Sequence, residues 1–432
     1  MTKKESGFEI TDLYDLKLEE YENTMEENPF WNENEWYCTR EEYREELFGS
    51  LKRGEQFVLT KYTGSSEEVT VPEGVTDMSE YLFAHNKTLR KVHLPDSLTK
   101  LNTGVFLDCA ALEEVTLGKS VRTVGAQAFQ SCISLKRIEF PDCVHTLREH
   151  AFDGCTELKE VKLGKELKLI RWDAFANCKS LKEIVLPESL EEISLRVFMG
   201  SGLEEIYIPK NVQLMGNGVF AGCHSLKKIE IDPDNPHMYT RDNCVFFPKN
   251  GWLLFGVGEF KMPEDGSFTL IYDSAFCGNP NIVDLHIPEG VEAIDSCAFK
   301  GCENLRTVTF PQSLERIYPL AFEKCTSLRE VTIPGSVEKI ERFAFGSTGL
   351  RKAVLKRGAG ELCDNAFINC KELREVYLSS TVTIGKYHDP FYKCPETLKI
   401  YIEKSTEERH EQLLGRLTKF QVELVDRLDI CD

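Results

Sequence analysis

Apolar runs are short throughout this sequence, and none approaches the roughly 20 residues that a membrane-crossing helix needs. The opening residues, MTKKESGFEITDLYD, have no apolar centre of the kind an export signal carries, and the closing DRLDICD carries no lipidation motif. The chain as written is therefore expected in the cytoplasm, without membrane insertion. The cell surface, or secretion, is the alternative if an export signal was removed. Positive charge is also scarce. The sequence has 52 Lys and Arg against 71 Asp and Glu, a net charge of −19, which argues against nucleic acid and anionic membranes as partners. Chemistry-bearing motifs are missing as well. There is no H-E-x-x-H, no phosphate-binding loop and no dinucleotide fingerprint, and GNGVFAG at 216–222 has the wrong spacing for a phosphate loop. The nine His are scattered, so no three or four ligands converge on a metal. No cofactor, metal or catalytic residue is expected, and no motif supports an enzyme.

What the sequence has in abundance is one repeated unit. Phe83, Phe106, Phe129, Phe152, Phe175 and Phe198 follow one another at steps of 23 residues, and Phe220 comes after 22. A gap of 56 leads to Phe276. Phe299, Phe322 and Phe345 resume the step of 23, and Phe367 and Phe391 follow after 22 and 24. Within a unit, Leu158, Val161 and Leu163 show the alternation of a short strand with one buried face. Leu167 and Ile170 form a second apolar pair, and Ala174-Phe175 closes the coil. Pro95, Pro141, Pro187, Pro288, Pro311 and Pro334 end the first strand of their coils at a point where no ladder donor is lost. A single coil cannot bury its own apolar face, but a stack can. Residues 23 apart thus become neighbours about 4.8 Å apart along a ladder, and the sequence can be read as columns.

Sixteen Cys are present without a single C-x-x-C pair, which removes zinc ribbons and thioredoxin-type motifs. Nine of them, Cys109, Cys132, Cys155, Cys178, Cys223, Cys302, Cys325, Cys370 and Cys394, lie three residues after a column Phe; the other coils hold Asn86, Ser201, Asn279 and Thr348 there. Small residues that can satisfy backbone groups at a turn fit such a column. A packed ladder of reduced, metal-free thiols is expected.

The column pattern L-x-x-V/I-x-L-P-x-x-L/V-x-x-I-x-x-x-A-F-x-x-C resembles the BspA-like, or treponemal-type, leucine-rich-repeat family over roughly residues 56 to 402. The resemblance implies a right-handed solenoid of the kind found in bacterial and protist proteins, many of them at cell surfaces and in host contact. The expected fold is a leucine-rich-repeat superhelix, β-rich with short strands and turns, of about 13 coils of 23 residues, capped at both ends.

The domain reading has three parts: an acidic segment at 1–55, the solenoid at 56–402, and a cap at 403–432. Residues 1–50 hold 15 Asp or Glu against 5 Lys or Arg. Thr39 and Glu42 form a capping box before an expected helix at 40–51, and the residues before Phe30 are expected to be disordered or a small helical cap. Ser405 and Glu408 form a second capping box, opening a helix to about Leu417 with the strand KFQVELV after it. The long gap after Phe220 holds an enlarged coil at 232–265. Asn250-Gly251 lies between two apolar runs there, which predicts a protruding β-hairpin turning at that pair. Phe246, Phe247, Trp252, Leu254 and Phe255 are too many apolar groups for a hairpin solvated on both sides, so one face is expected to pack and the other to expose aromatics.

Function then falls to the outer surface. His85 and Asp108 share a column in adjacent coils and are expected to be a surface pair. In the column after the repeated Leu stand Arg306, Arg329, Arg351 and Arg374, in four successive coils. Glu330 and Glu375 follow two of them, so one reading is plain repeat consensus. The other is a basic strip for a carboxylate-rich or otherwise anionic partner, which Arg engages bidentately. Phe246, Trp252 and Phe255 of the insert are the second candidate ligand-binding set. The expected function is non-enzymatic recognition of a protein or glycoconjugate, with self-assembly as the alternative.

Overall fold

The computed structural model of the chain describes residues 3–5, 8–12, 16–17, 57–385, 387–404 and 414–431. The fold is a parallel β-solenoid of about 16 turns of about 23 residues. It divides into two compact units, Met1–Val197 and Phe198–Asp432.

In the first unit, alternation writes the first-strand ladder. Glu68–Thr70, Lys91–His93, Glu114–Thr116, Arg137–Glu139 and Glu160–Lys162 pair in parallel, in register from coil to coil. The central residue of each points inward: Val69, Val92, Val115, Ile138 and Val161 are buried, while their neighbours reach solvent. A second ladder of two-residue strands runs through Lys100–Leu101, Thr123–Val124, Thr146–Leu147, Leu169–Ile170 and Glu192–Ile193. The turns that carry Ala-Phe form a third. Phe106 N donates to Ala128 O at 2.9 Å, and Phe129 and Phe152 repeat the bond to Ala151 and Ala174 at 2.8 Å. These turns need left-handed backbone two residues before and two after the Phe, as at His150 and Gly154 around Phe152. Asn, Asp, Ser and Gly recur there because they adopt positive φ at low cost.

The column Phe side chains form the spine. Phe83, Phe106, Phe129, Phe152 and Phe175 stack in sequence, with centroids 4.9–5.4 Å apart and planes within 13°. In the second unit Phe276, Phe299, Phe322, Phe345 and Phe367 repeat this at 5.1–5.2 Å. Ladder spacing imposes the distance, and offset stacking suits the ring quadrupoles.

The structure has more turns than the Phe column marks, and the ends and the insert supply them. Phe57–Tyr62 pairs in parallel with Val75–Met78. Gln421–Val425 does the same against Lys399–Glu403, after helical residues 414–416. The expected helix at 40–51 and the start of the one opening at Ser405 lie outside the described residues. Near the N-terminus the described backbone is strand at 3–5 and 8–12 and helical at 16–17. Lys3–Glu5 and Phe8–Asp12 form antiparallel strands, and the latter adds to the edge of Phe57–Tyr62.

The insert differs most from expectation. It does not protrude. Tyr239–Arg241, Cys244–Phe247 and Trp252–Gly256 make an antiparallel meander. Its last strand pairs in parallel with Leu270–Ile271 and so extends the second ladder of this unit. Two turns build it. Asp242-Asn243, with φ of 50° and 57°, closes the first hairpin in two residues, as mirror-type turns require. The second hairpin turns through Pro248–Asn250 and left-handed Gly251, a longer turn than the Asn-Gly pair alone implies. Cys244, Val245, Phe246, Leu253, Leu254 and Phe255 are all buried. With apolar residues on both faces, the meander is stable only inside the stack. Phe255 meets Phe220 edge-on at 5.5 Å and Phe260 packs on Phe276 at 4.5 Å, filling the break in the Phe column.

An ion pair with a buried carboxylate ties the C-terminal cap to the coils. Glu403, 4% exposed, takes two bonds from the Arg357 guanidinium, one of them from Nε at 3.1 Å, and accepts from the amides of Ser380 and Leu428. The Arg357 guanidinium holds its carboxyl well below the usual range, at about 2. A depressed carboxylate stabilises the fold above its unfolded value of about 4.3, and that contribution is lost as pH falls toward 2. Glu403→Gln is expected to cost about 2 kcal/mol at neutral pH, because it leaves Arg357 without its counter-charge. The gap between variant and wild type in denaturant melts should close between about pH 4.5 and pH 2. A gap that stays constant over that range would show that charge is not what Glu403 contributes.

Candidate functional site

The thiol column is internal. Cys109, Cys132, Cys155, Cys178, Cys302, Cys325 and Cys370 are buried, and Cys223 and Cys394 are half-buried. Each sulfur of the nine donates to the carbonyl of the column Phe one coil earlier, at 2.9–3.3 Å: Cys155 to Phe129 O and Cys325 to Phe299 O are examples. Thr348 holds the same column position, but its hydroxyl bonds Phe345 O of its own coil, at 2.9 Å. Burial pushes seven of the nine thiols up, Cys109 and Cys325 to about 12, which keeps those seven protonated as donors and unreactive as nucleophiles; the hydrogen bond between Cys370 and Cys394 raises Cys394 and lowers Cys370. Cys155→Ala is expected to cost about 1–2 kcal/mol, through the lost bond and a small void. Cys155→Ser keeps a donor and should cost less. If Ser proves the more destabilising, the thiol acts as an apolar filler and not as a donor.

Two of the insert aromatics are withdrawn from the surface. Phe246 and Phe255 are 1% and 2% exposed, so neither is available to a ligand. Trp252 is half-buried and stacks on Tyr272 at 4.8 Å. The exposed face expected from sequence is therefore corrected for Phe246 and Phe255, while Phe247 and Trp252, 6.4 Å apart, stay partly exposed.

The arginine strip lies where the column places it. Arg351 N donates to Arg329 O at 2.7 Å and Arg374 N to Arg351 O at 2.9 Å, so these residues sit on adjacent rungs. Arg306, Arg329, Arg351 and Arg374 are all exposed. Arg329 Nη1 bonds two carbonyls, Thr326 O and Gly349 O, both at 2.9 Å. Among the described residues none of the four forms an ion pair. The nearby Glu375 accepts from the Tyr377 hydroxyl at 3.0 Å. The first unit treats the same column differently. There Glu113 lies between Arg90 and Lys136 and pairs with both, and Lys119–Asp96, Lys165–Asp142 and Lys168–Glu191 repeat the cross-coil pairing. His85 Nδ1 and Asp108 Oδ2 are 3.1 Å apart and exposed, a surface pair of the same kind. No group of three or more His, Cys, Asp and Glu is placed to hold a metal among the described residues, and none of their helices is long and apolar enough to cross a membrane.

Repeated parallel rungs, an inward Leu and Phe lattice and an outer face free to vary define a leucine-rich-repeat solenoid. The model of the BspA type leucine rich repeat region matches in six copies over residues 59–172, 122–246 and 269–399, and the chain belongs to that family. Its fold is similar to a leucine rich cell surface protein from Faecalibacterium prausnitzii A2-165, at 20% identity and TM-score 0.60, covering 99% of this chain and 95% of that one. It is similar to the pneumococcal vaccine antigen PcpA at 17% identity and TM-score 0.66, covering 99% of each. A leucine-rich repeat protein from Bacteroides ovatus matches at 21% identity and TM-score 0.53, over 87% of this chain and 97% of that one. None of the curated proteins compared with this chain matches it.

Proposed function

We propose that this protein is a non-enzymatic binding protein whose second unit recognises an anionic protein or glycoconjugate through Arg306, Arg329, Arg351 and Arg374. The observation that carries the reading is four successive exposed guanidiniums that form no ion pair among the described residues, in a chain of net charge −19 whose first unit pairs Arg90 and Lys136 with Glu113 in the same column. Like charges about 5 Å apart repel, and an anionic ligand relieves that repulsion. Guanidinium forks match carboxylates and sulfates in geometry. The alternative, self-assembly through the insert, rests only on the half-buried Phe247 and Trp252, because Phe246 and Phe255 are buried. A fold shared with a protein described as a cell surface protein and with a vaccine antigen supports a place at the cell surface.

Bulk charge and local strip predict opposite partners, which gives a clean test. An octaglutamate peptide and a sulfated oligosaccharide represent the two sources of anionic groups, with octalysine as the control. The strip predicts that one or both anionic probes bind and octalysine does not. Preference for octalysine, as bulk charge dictates, would overturn the proposal.

A further inference from the structure

We infer that the interrupted first-strand ladder beside the insert binds an extended peptide segment by strand addition along the free edge of Lys228–Ile231. Among the described residues, Lys228–Ile231 pairs in parallel with Glu205–Ile208 on one side only, and Asp284–His286 pairs only with Thr307–Thr309. Between them, residues 259–262 stand where the repeat puts a first strand, since Met262-Pro263 matches Ile287-Pro288. They make no ladder pairing; the Lys261 amide donates to Asp242 O, at 3.1 Å, in the tip of the meander.

The direction of the free groups follows from alternation. Asp232 N donates back to Ile208 O at 2.9 Å. Alternate residues of a strand turn their amides to the same side, so Ile229 and Ile231 present theirs to the other side. Among the described residues neither amide has a backbone partner. As whole residues they are 1% and 8% exposed, so their side chains are turned into the core. This edge opens onto a cleft of about 780 Å³. Lys228–Ile231 forms one wall and Glu259, Phe260 and Lys261 the other. Unpaired ladder donors on an ordered strand are rare, and an added strand satisfies them. The occupant is recognised chiefly through its backbone. The cleft lining carries three carboxylates, Glu230, Asp242 and Glu259, against Lys228 and Lys261, which favours a strand with one basic residue. This site is separate from the arginine strip, and its test does not depend on that reading.

The probe is an acetylated and amidated peptide of residues 304–310, NLRTVTF, a copy of one of the chain's own first strands that carries an Arg. Amide hydrogen exchange on the full chain is the readout. Ile229 and Ile231 should exchange much faster than Ile206 and Ile208, which hold the same repeat position but face a paired strand. Saturating peptide should slow Ile229 and Ile231 by about 10-fold or more, as one new hydrogen bond each would. N-methylating the peptide at alternate residues should remove this protection in one register and leave it in the other. Slow exchange at Ile229 and Ile231 without peptide, or no change with it, would overturn the inference. Protection that rises with protein concentration alone would assign the edge to a second copy of the chain and overturn it equally.

Discussion

Phe322→Ala is expected to lower the stability of the second unit by about 3–5 kcal/mol, the range for removing a buried ring from a close-packed core. Phe322 is fully buried. It stacks on Phe299 and on Phe345, each at 5.2 Å, and takes the edge of Phe310 at 5.7 Å. Truncation therefore removes two stacked pairs and one edge contact, and the neighbouring rungs cannot close the void without giving up their own ladder bonds. Phe322→Leu keeps most of the volume and should cost much less, about 1–2 kcal/mol. Denaturant melts of the three proteins give the comparison. A cost below about 1 kcal/mol for the Ala variant would mean that the Phe column is not the spine.

Replacing Arg306, Arg329, Arg351 and Arg374 together by Ala is expected to weaken binding to the anionic probe by about 100-fold, at roughly 0.7 kcal/mol for each exposed charged contact. Stability should change little, because all four side chains are exposed and none forms an ion pair among the described residues. It should even rise slightly where like charges on adjacent rungs are removed. Arg329 is the exception, since its guanidinium bonds Thr326 O and Gly349 O. Arg329→Lys keeps the charge and loses the fork, so it separates the two contributions. Unchanged affinity in the quadruple variant, with the fold intact, would return the strip to plain repeat consensus.

The repeat was legible because its signals are strong and local. Phe at steps of 23, Cys three residues later and Pro after the first strand all mark inward or turn positions, and a one-residue slip would expose core. The stacked Phe column and the nine thiol–carbonyl bonds follow from that register. The insert was misread for a physical reason. Asn250-Gly251 is a strong hairpin signal in isolation, but the runs beside it have no polar face, and a two-sided apolar hairpin is stable only within a sheet. Two signals pointed that way: Met262-Pro263, which repeats the end of a first strand, and Asp242-Asn243, suited to left-handed turn positions. The first residues were hard for the opposite reason. Lys3–Glu5 and Phe8–Asp12 are short and mostly polar, and they form strands by pairing with an existing edge, which no local pattern records.

At the candidate site, sequence located the arginine column but not the state of its charges. That the four Arg form no ion pair among the described residues while Arg90 and Lys136 share Glu113 depends on side-chain reach across rungs, and the columns alone gave Glu330 and Glu375 as screens. The free edge of Lys228–Ile231 was invisible for a related reason: it arises from what residues 259–262 fail to pair with.

The central claim is that a local basic strip, and not the overall charge, selects the partner. Its most direct test is the salt dependence of octaglutamate binding, measured at equilibrium from about 0.1 M to about 1 M NaCl, over which the screening length falls from about 10 to about 3 Å. The account predicts that wild-type affinity falls steadily with salt and that the quadruple Ala variant shows weak binding with almost no dependence. Affinity that rises with salt, as when repulsion from a chain of net charge −19 is screened, would contradict it.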